Sequence, residues 1–237
     1  MIVLGFDTAT AATAVALLDD AGPGGGAGPA AERRHEPAPG ERPGHAAQLL
    51  ALAAELLGDA GLRFADVDRI AVGLGPGTFT GLRIGVATAR ALAQSTGAEL
   101  VGVSTLRALA AEAEPGAPAG YGVLAVIDAR RGEAFAAGWR AGEPVIGQVA
   151  LAPQPLARLV ADEGGRWLAV GDGALRFRED LEDAGCTVPP DGSGQHGVSA
   201  RAICRLARQA PMGTARDLVI PDYLRPPDAV LARKNTT

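Results

Sequence analysis

The chain has 237 residues, of which 47% are hydrophobic, 4% aromatic and 21% charged, and its formal net charge is −5. This length allows one large domain or two small lobes. The acidic balance, without a long Lys/Arg run, argues against a protein that grips nucleic acid alone. Two cysteines, Cys186 and Cys204, do not indicate a disulfide framework.

The amino terminus, MIVLGFDTAT, has no basic region, and no window of eighteen consecutive apolar residues occurs. We therefore expect neither a secretion signal nor a membrane span, and we expect a cytoplasmic protein.

The first half of the chain predicts an alternation of strands and helices. Strands are predicted at 2–6 and 14–18 around a polar turn, and the glycine-rich residues 19–30 predict a flexible hairpin tip before an edge strand, ERRHEP. A helix is predicted at 44–58, followed by the strand VDRIAVGLG, a second helix, the strand AELVGVS and the short helix TLRALAAEA.

A similar order of elements restarts after the loop EPGAPAG. The strands GVLAVIDA, EAFAAGW and PVIGQVAL come first, then helices near 154–163, 174–184 and 199–209 with the strand WLAVG after the first of them. This repeat predicts two α/β lobes with a cleft between them. We assign residues 1–106 plus about 210–237 to the first lobe, which docks a partner, and 107–209 to the second.

The stretch GLGPGTFTGLRIGVATARALAQ places a glycine-rich turn directly before a helix. Gly73, Gly75 and Gly77 allow unusual backbone conformations, Thr78 and Thr80 are candidate N-caps, and a helix N-terminus attracts anions. The stretch lacks the P-loop lysine, however, and its glycine spacing does not match G-x-G-x-x-G. A phosphate site and a purely geometric turn both remain open.

Asp7 and Thr8 follow the first strand, where an acid could hold Mg²⁺ through water. A local hydrogen-bonding role for Asp7 is the alternative. We list the candidates for a vestigial phosphate loop as Asp7, Thr8, Gly75, Gly77 and Thr80.

Small residues recur every four positions along the helix after the turn, which allows another backbone to approach closely. Both this helix and the one at 44–58 are apolar around most of their circumference, and a single sheet covers only one face of each. Burial within the same chain is one interpretation, and a protein–protein interface is the other. The predicted interface residues are His45, Leu49, Leu52, Leu56, Gly81, Leu82, Gly85, Ala89 and Ala93.

The three histidines, His35, His45 and His196, show neither HxxxH nor HExxH spacing, so no metal site is predicted. His45 begins a helix, which favours a solvated or capping role. No nucleophile motif of the G-x-S-x-G type is present, so no catalytic residue is predicted.

The motif DARRGEAF places four charged residues at a hairpin turn, and GDGA suggests a degenerate nucleotide turn. The charged residues could contact phosphate or carboxylate from the cleft, or could form an ordinary charged hairpin tip. They are Asp128, Arg130, Arg131 and Glu133.

The segment GLGPGTFTGLRIGVATARALA resembles the signature of the TsaB family, a subunit of the bacterial machinery that makes N6-threonylcarbamoyladenosine at position 37 of tRNA. LGFDTATAATAVAL, HAAQLLALAAELL, VSTLRALA, VIDARRGEAFAA, VGDGA and PDYLR stand in the expected order. The resemblance implies an α/β, two-lobed fold of the actin-like ATPase and sugar-kinase superfamily, with a mixed sheet and helices in each lobe.

The resemblance also implies a non-catalytic scaffold with no cofactor of its own. It implies pairing with TsaD, the catalytic relative, through helices of the first lobe, and a larger complex with the P-loop ATPase TsaE. It implies a homodimer when alone, contact with tRNA only through the complex, and no membrane. TsaD binds metal through an HxxxH pair, whereas here Leu49 follows His45 by four residues.

Two alternatives come from other functional classes. An active ATP-dependent kinase or ATPase of the same superfamily would use Asp7, Thr8 and the glycine turns. A peptidase is disfavoured because the metal pair and a nucleophile motif are missing.

Overall fold

The computed structural model describes residues 1–20, 31–38, 40–211 and 216–225. Residues 21–30 of the predicted hairpin tip, together with the end of the chain from 226, lie outside the described residues.

The first sheet has five strands in the order β3-β2-β1-β4-β5. Strands β1 to β3 form an antiparallel meander, while β4 and β5 extend the sheet in parallel from β1. The bounds are β1 Ile2–Asp7, β2 Thr13–Asp19, β3 Ala31–His35, β4 Arg69–Gly73 and β5 Glu99–Val103. Strands β1, β2 and β4 are buried on both faces, which explains their nearly continuous apolar sequences.

The second sheet repeats this plan, with the order β10-β9-β6-β7-β8. Its first three strands are again antiparallel, and its last two join in parallel. The bounds are β6 Tyr121–Arg130, β7 Glu133–Arg140, β8 Glu143–Leu151, β9 Arg166–Val170 and β10 Cys186–Thr187. The predicted repeat of element order is thus confirmed, and the chain forms two lobes, each with a mixed five-stranded sheet and helices.

Helices cover both faces of each sheet. Helices α1 and α2 pack on the side of the first sheet that faces away from the second sheet, and α4 and α6 pack on the side of the second sheet that faces away from the first. Helices α3 and α7 contact each other between the two sheets. The bounds are α1 His45–Asp59, α2 Phe79–Thr96, α3 Thr105–Ala113, α4 Pro153–Glu163, α5 Asp172–Arg176, α6 Arg178–Asp183 and α7 Ala200–Gln209. Among the described residues, no helix has the length and apolar character needed to cross a bilayer.

Helix α7 packs on the first sheet, although the boundaries predicted from the sequence place its residues in the second lobe. Its anchor is Arg69 of β4, which is 2% exposed. The guanidinium donates to the carbonyls of Ala207 and Ala210 at the C-terminal end of α7 and pairs with Glu99 at 2.6 Å. A buried cation thus satisfies carbonyls that the helix end leaves without partners.

Replacing Arg69 with methionine is expected to lower the free energy of unfolding by roughly 2 to 4 kcal/mol, because both Glu99 and the α7 carbonyls lose their partner. Denaturant unfolding measures the change. The matched control is Arg63→Met, which removes an arginine that is 80% exposed and whose partner among the described residues is Asp66. We expect no measurable change for this control, and equal effects of the two variants would contradict the role of Arg69.

Candidate functional site

Asp7 lies at the carboxyl end of β1 and is 1% exposed. One carboxylate oxygen accepts the backbone N–H of Ala9 at 2.8 Å, and the other accepts the hydroxyl of Thr105 at 2.8 Å. The Thr105 hydroxyl in turn accepts the N–H of Gly75 at 3.1 Å. Burial raises the pKa of the Asp7 carboxyl. The carboxylate therefore ties the end of β1 to the glycine turn and to α3, and both of its oxygens are occupied.

The glycine-rich turn packs directly against the turn that follows β1. The N–H of Thr78 donates to the carbonyl of Ala9 at 2.7 Å, and the hydroxyl of Thr8 donates to the carbonyl of Gly81 at 2.8 Å. A Cβ at Gly77 would overlap the Ala9 carbonyl. The two segments that could have cradled a phosphate thus fill the space between them with their own backbone. Thr80, the last candidate of the vestigial loop, is exposed on the first turn of α2.

The small-residue stripe of α2 faces the protein's own interior. A Cβ at Gly81 would overlap the Thr8 carbonyl, and one at Gly85 would overlap the Thr8 hydroxyl. Ala89 and Ala93 are both fully buried against the first sheet. The stripe lets α2 approach its own sheet, so the prediction that these residues form a partner interface is wrong.

The same correction applies to most of the other predicted interface residues. Leu49 and Leu56 of α1 are 1% and 4% exposed, and Leu82 of α2 is fully buried. Only Leu52 among the nine remains half-buried. The alternative interpretation, burial within the same chain, holds for the inward faces of both helices.

Both helices nevertheless expose apolar residues on the opposite side, which we call the outer face. On α2 this side also carries the polar residues Thr80, Arg83 and Gln94. Helices α1 and α2 lie side by side, and Leu50 of α1 is 47% exposed at the centre of its exposed side. Half-buried Ile84 continues this surface on α2, whereas half-buried Leu52 and Leu92 pack against the core beneath the helices. The other exposed apolar members are Ala46, Ala47, Ala51 and Ala54 of α1 with Ala87 and Ala91 of α2. The spacing of the alanines from 46 to 54 is helical, and it is the signal that could have identified this face from the sequence.

His45 is neither solvated nor a cap. Gly44 occupies the N-cap position of α1, and the His45 side chain is 3% exposed. Its Nδ1 lies 2.8 Å from the hydroxyl of Thr13 on β2, directly opposite His35 of β3 in the sheet. Burial lowers the pKa of His45, and the neighbouring His35 adds to the effect.

The charged residues of the β6–β7 hairpin contact one another or other parts of the chain. Asp128 accepts from Arg176 at 2.7 Å and from Arg130, while Glu133 pairs with Arg225 at 2.5 Å. Arg130 and Arg131 are exposed at the hairpin turn. The carboxylates Asp128 and Glu133 are therefore committed to ion pairs within the chain.

A cavity of about 370 Å³ lies between the lobes. Its charged lining consists of three carboxylates, Glu36, Asp172 and Asp191, and one guanidinium, Arg34. The guanidinium is itself paired with Glu36 at 2.6 Å and bonded to the Val198 carbonyl. This negative lining is a poor environment for a polyphosphate.

Within the described ranges, no group of three or more His, Cys, Asp or Glu side chains is placed to hold a metal ion. The candidate loop residues and the charged hairpin thus make contacts within the fold, whereas Leu50 and the alanines of the outer face stay exposed in the described part of the chain.

Comparison with known proteins assigns the family. A family model for TsaD, the tRNA N6-adenosine threonylcarbamoyltransferase, matches residues 41–161. The tRNA threonylcarbamoyladenosine biosynthesis protein TsaB of Escherichia coli is 34% identical over 180 residues, covering 73% of this chain and 72% of that protein. The chain belongs to the TsaB family.

A solved structure supports this TsaB-family assignment at the level of the fold. YeaZ from Pseudomonas aeruginosa superimposes with a TM-score of 0.74 at 27% identity, covering 94% of this chain and 99% of that one. A tRNA N6-adenosine threonylcarbamoyltransferase of Paracoccus denitrificans is 44% identical over 84 residues, 35% of this chain and 24% of that protein.

The substitution Gly81→Ala is expected to destabilise the fold by about 1 to 3 kcal/mol, because the added methyl group meets the Thr8 backbone. The control is Gly58→Ala in the exposed part of α1, where a Cβ meets nothing within 4 Å. That variant is expected to gain about 0.5 to 1 kcal/mol from helix propensity. Thermal and denaturant unfolding measure both, and a stable Gly81→Ala protein would contradict the close approach.

Lowering the pH below about 6.5 is expected to weaken the fold through His45. Its pKa in the folded protein lies below the ordinary value of 6.5, so the unfolded chain binds the proton first and stability falls with pH. The measurement is the free energy of unfolding between pH 5 and 7.5 for the natural chain and for His45→Asn, which does not titrate. The difference between the free energies of unfolding of the two proteins should become smaller as the pH falls. A parallel pH dependence of both proteins would show that His45 does not contribute.

Proposed function

We propose that this chain acts in tRNA N6-threonylcarbamoyladenosine formation as a non-catalytic scaffold that docks a TsaD-type catalytic subunit through the outer face of α1 and α2. The pathway comes from the names of the relatives, which are TsaB proteins of threonylcarbamoyladenosine biosynthesis. The observation that carries the docking role is the outer face itself, where Leu50 and the alanines of two adjacent helices stay exposed among the described residues.

The match to the TsaD family model supports the choice of partner. It spans residues 41–161, which include both helices of the outer face. Two chains that share this helix pair can pack their outer faces together with approximate twofold symmetry and form a four-helix contact. Alanines at the centre of such a contact allow close approach of the helices. A homodimer of this chain would use the same face when the partner is missing.

The non-catalytic part of the proposal is supported by the closed phosphate loop. Asp7 and Thr8 are hydrogen-bonded within the chain, and the glycine turn is filled by the backbone of Ala9. The charge of the interlobe cavity also disfavours a nucleotide. We therefore assign the chain no catalytic residue and no cofactor of its own.

One solved relative is described as an uncharacterized protein with similarity to peptidase YEAZ from Pseudomonas aeruginosa. The described residues give no specific observation in favour of peptidase chemistry here, since both cysteines are buried. The proposal also includes the remaining partners. TsaE joins the complex as its P-loop ATPase, and this chain contacts tRNA through the complex. The complex is cytoplasmic.

The substitutions Leu50→Glu and Ala87→Glu are each expected to weaken binding to the TsaD homologue of the same organism roughly tenfold or more, because a carboxylate would be buried in the helix contact. Both side chains are exposed, so the fold should be unaffected. Calorimetry or analytical ultracentrifugation of the mixed proteins measures the affinity.

The matched control is Val145→Glu, a residue 37% exposed on the edge strand β8 of the second lobe. This variant should bind like the natural chain. Unchanged binding by folded Leu50→Glu and Ala87→Glu proteins would exclude the outer face as the docking surface.

A further inference from the structure

The last described segment, residues 216–225, contacts both lobes. Its first anchor lies in the first lobe, where Val219 is 2% exposed within the core beneath α1 and α2. The backbone N–H of Asp222 then donates to the carbonyl of Leu74 at 2.7 Å, next to the end of β4. The Asp222 carbonyl lies against Gly75, so the segment also covers the glycine turn.

Side chains fix the same segment along the flank of α2. The ring of Tyr223 stacks on that of Phe79 with 5.1 Å between centroids, and its hydroxyl accepts from Arg83 at 3.2 Å. Asp217 pairs at 2.9 Å with Arg90, which lies two helical turns after Arg83. These contacts hold the segment in a single path rather than at one point.

The second anchor lies in the second lobe. Leu224 packs against the core that α3 forms with the second sheet. The guanidinium of Arg225 donates to the carboxylate of Glu133 and, at 2.8 Å, to the carbonyl of Ala129. Two donors of one planar group therefore hold both strands of the β6–β7 hairpin, which a single point charge could not do.

The hairpin that receives Arg225 has an unusual backbone. Arg130 and Arg131 both have positive φ angles, 63° and 54°. Non-glycine residues hold such conformations when the surrounding contacts determine them. The bonds of Arg225 to Ala129 and Glu133, on either side of this turn, are among those contacts.

We propose that residues 219–225 form a clasp that locks the two lobes in one relative position. Asp222 bonds the first lobe and Arg225 the second, and the three residue steps between them span at most roughly 10 Å. If the lobes moved apart, Leu74 and Ala129 would separate, and one anchor would have to break. The hinge closure that enzymes of two-lobed folds use is thereby blocked, and the outer face belongs to one rigid body.

The test is the distribution of distances between spin labels in the two lobes. Nitroxides attached at Ala60→Cys, after α1, and Glu163→Cys, at the end of α4, report on their relative position, since both sites are exposed. The natural thiols should not react, because burial raises the pKa of Cys186 to about 11 and that of Cys204 to about 12.

The labelled natural chain should give one narrow distance distribution. Arg225→Ala should shift or broaden the distance distribution. If that variant does not fold, the milder Arg225→Lys and Glu133→Gln variants should show the same change. The control Arg63→Ala removes an exposed arginine that pairs with Asp66 of the first lobe and should leave the distribution unchanged.

Distributions of equal position and width in the folded Arg225 and Glu133 variants would overturn the clasp. The readout involves no partner protein, so it is independent of the docking proposal.

Discussion

The rest of the structure depends on the close approach of helix α2 to the turn that follows β1. The Thr8 hydroxyl bonds the Gly81 carbonyl, and the Thr78 N–H bonds the Ala9 carbonyl. Backbone can approach backbone this closely only because positions 77 and 81 carry no side chain. These two hydrogen bonds fix how α2 is rotated on its sheet, and the segments that they join fill the space at the ends of the strands.

Two consequences follow from the rotation of α2. The small residues face inward, which leaves exposed alanines at 87 and 91 beside the exposed side of α1. The ends of the strands are also filled by protein, because Asp7 bonds Ala9 and Thr105. The filled space at the strand ends and the outward-facing alanines of α2 are thus two results of the same packing.

The order of the strands and helices could be predicted from the sequence because each element carries its own periodicity and turn residues. Both sheets, the edge strand β3 and the long helices agree with that prediction. Helix α2 ends at Gly97, whose left-handed conformation is typical of a C-cap glycine. The predicted helix near 174–184 is two short helices, α5 and α6, that meet at Phe177.

Features that depend on distant residues could not be predicted in this way. Thr8, 73 positions before Gly81, decides which way the small-residue stripe of α2 faces. Arg69, 138 positions before Ala207, decides where α7 lies. His45 begins α1, as its sequence position suggests, but its hydrogen-bond partner Thr13 lies on β2, 32 positions earlier. A pattern of small residues indicates that something approaches closely, without specifying whether it is a partner or the chain's own backbone.

At the glycine turn, the chain's own backbone fills the space that a bound phosphate would need. The most direct measurement is a calorimetric titration of the isolated protein with Mg-ATP, with Asp7→Asn as the companion variant. The account predicts no heat beyond dilution for either protein. Saturable micromolar binding by the natural chain that is lost in Asp7→Asn would contradict it.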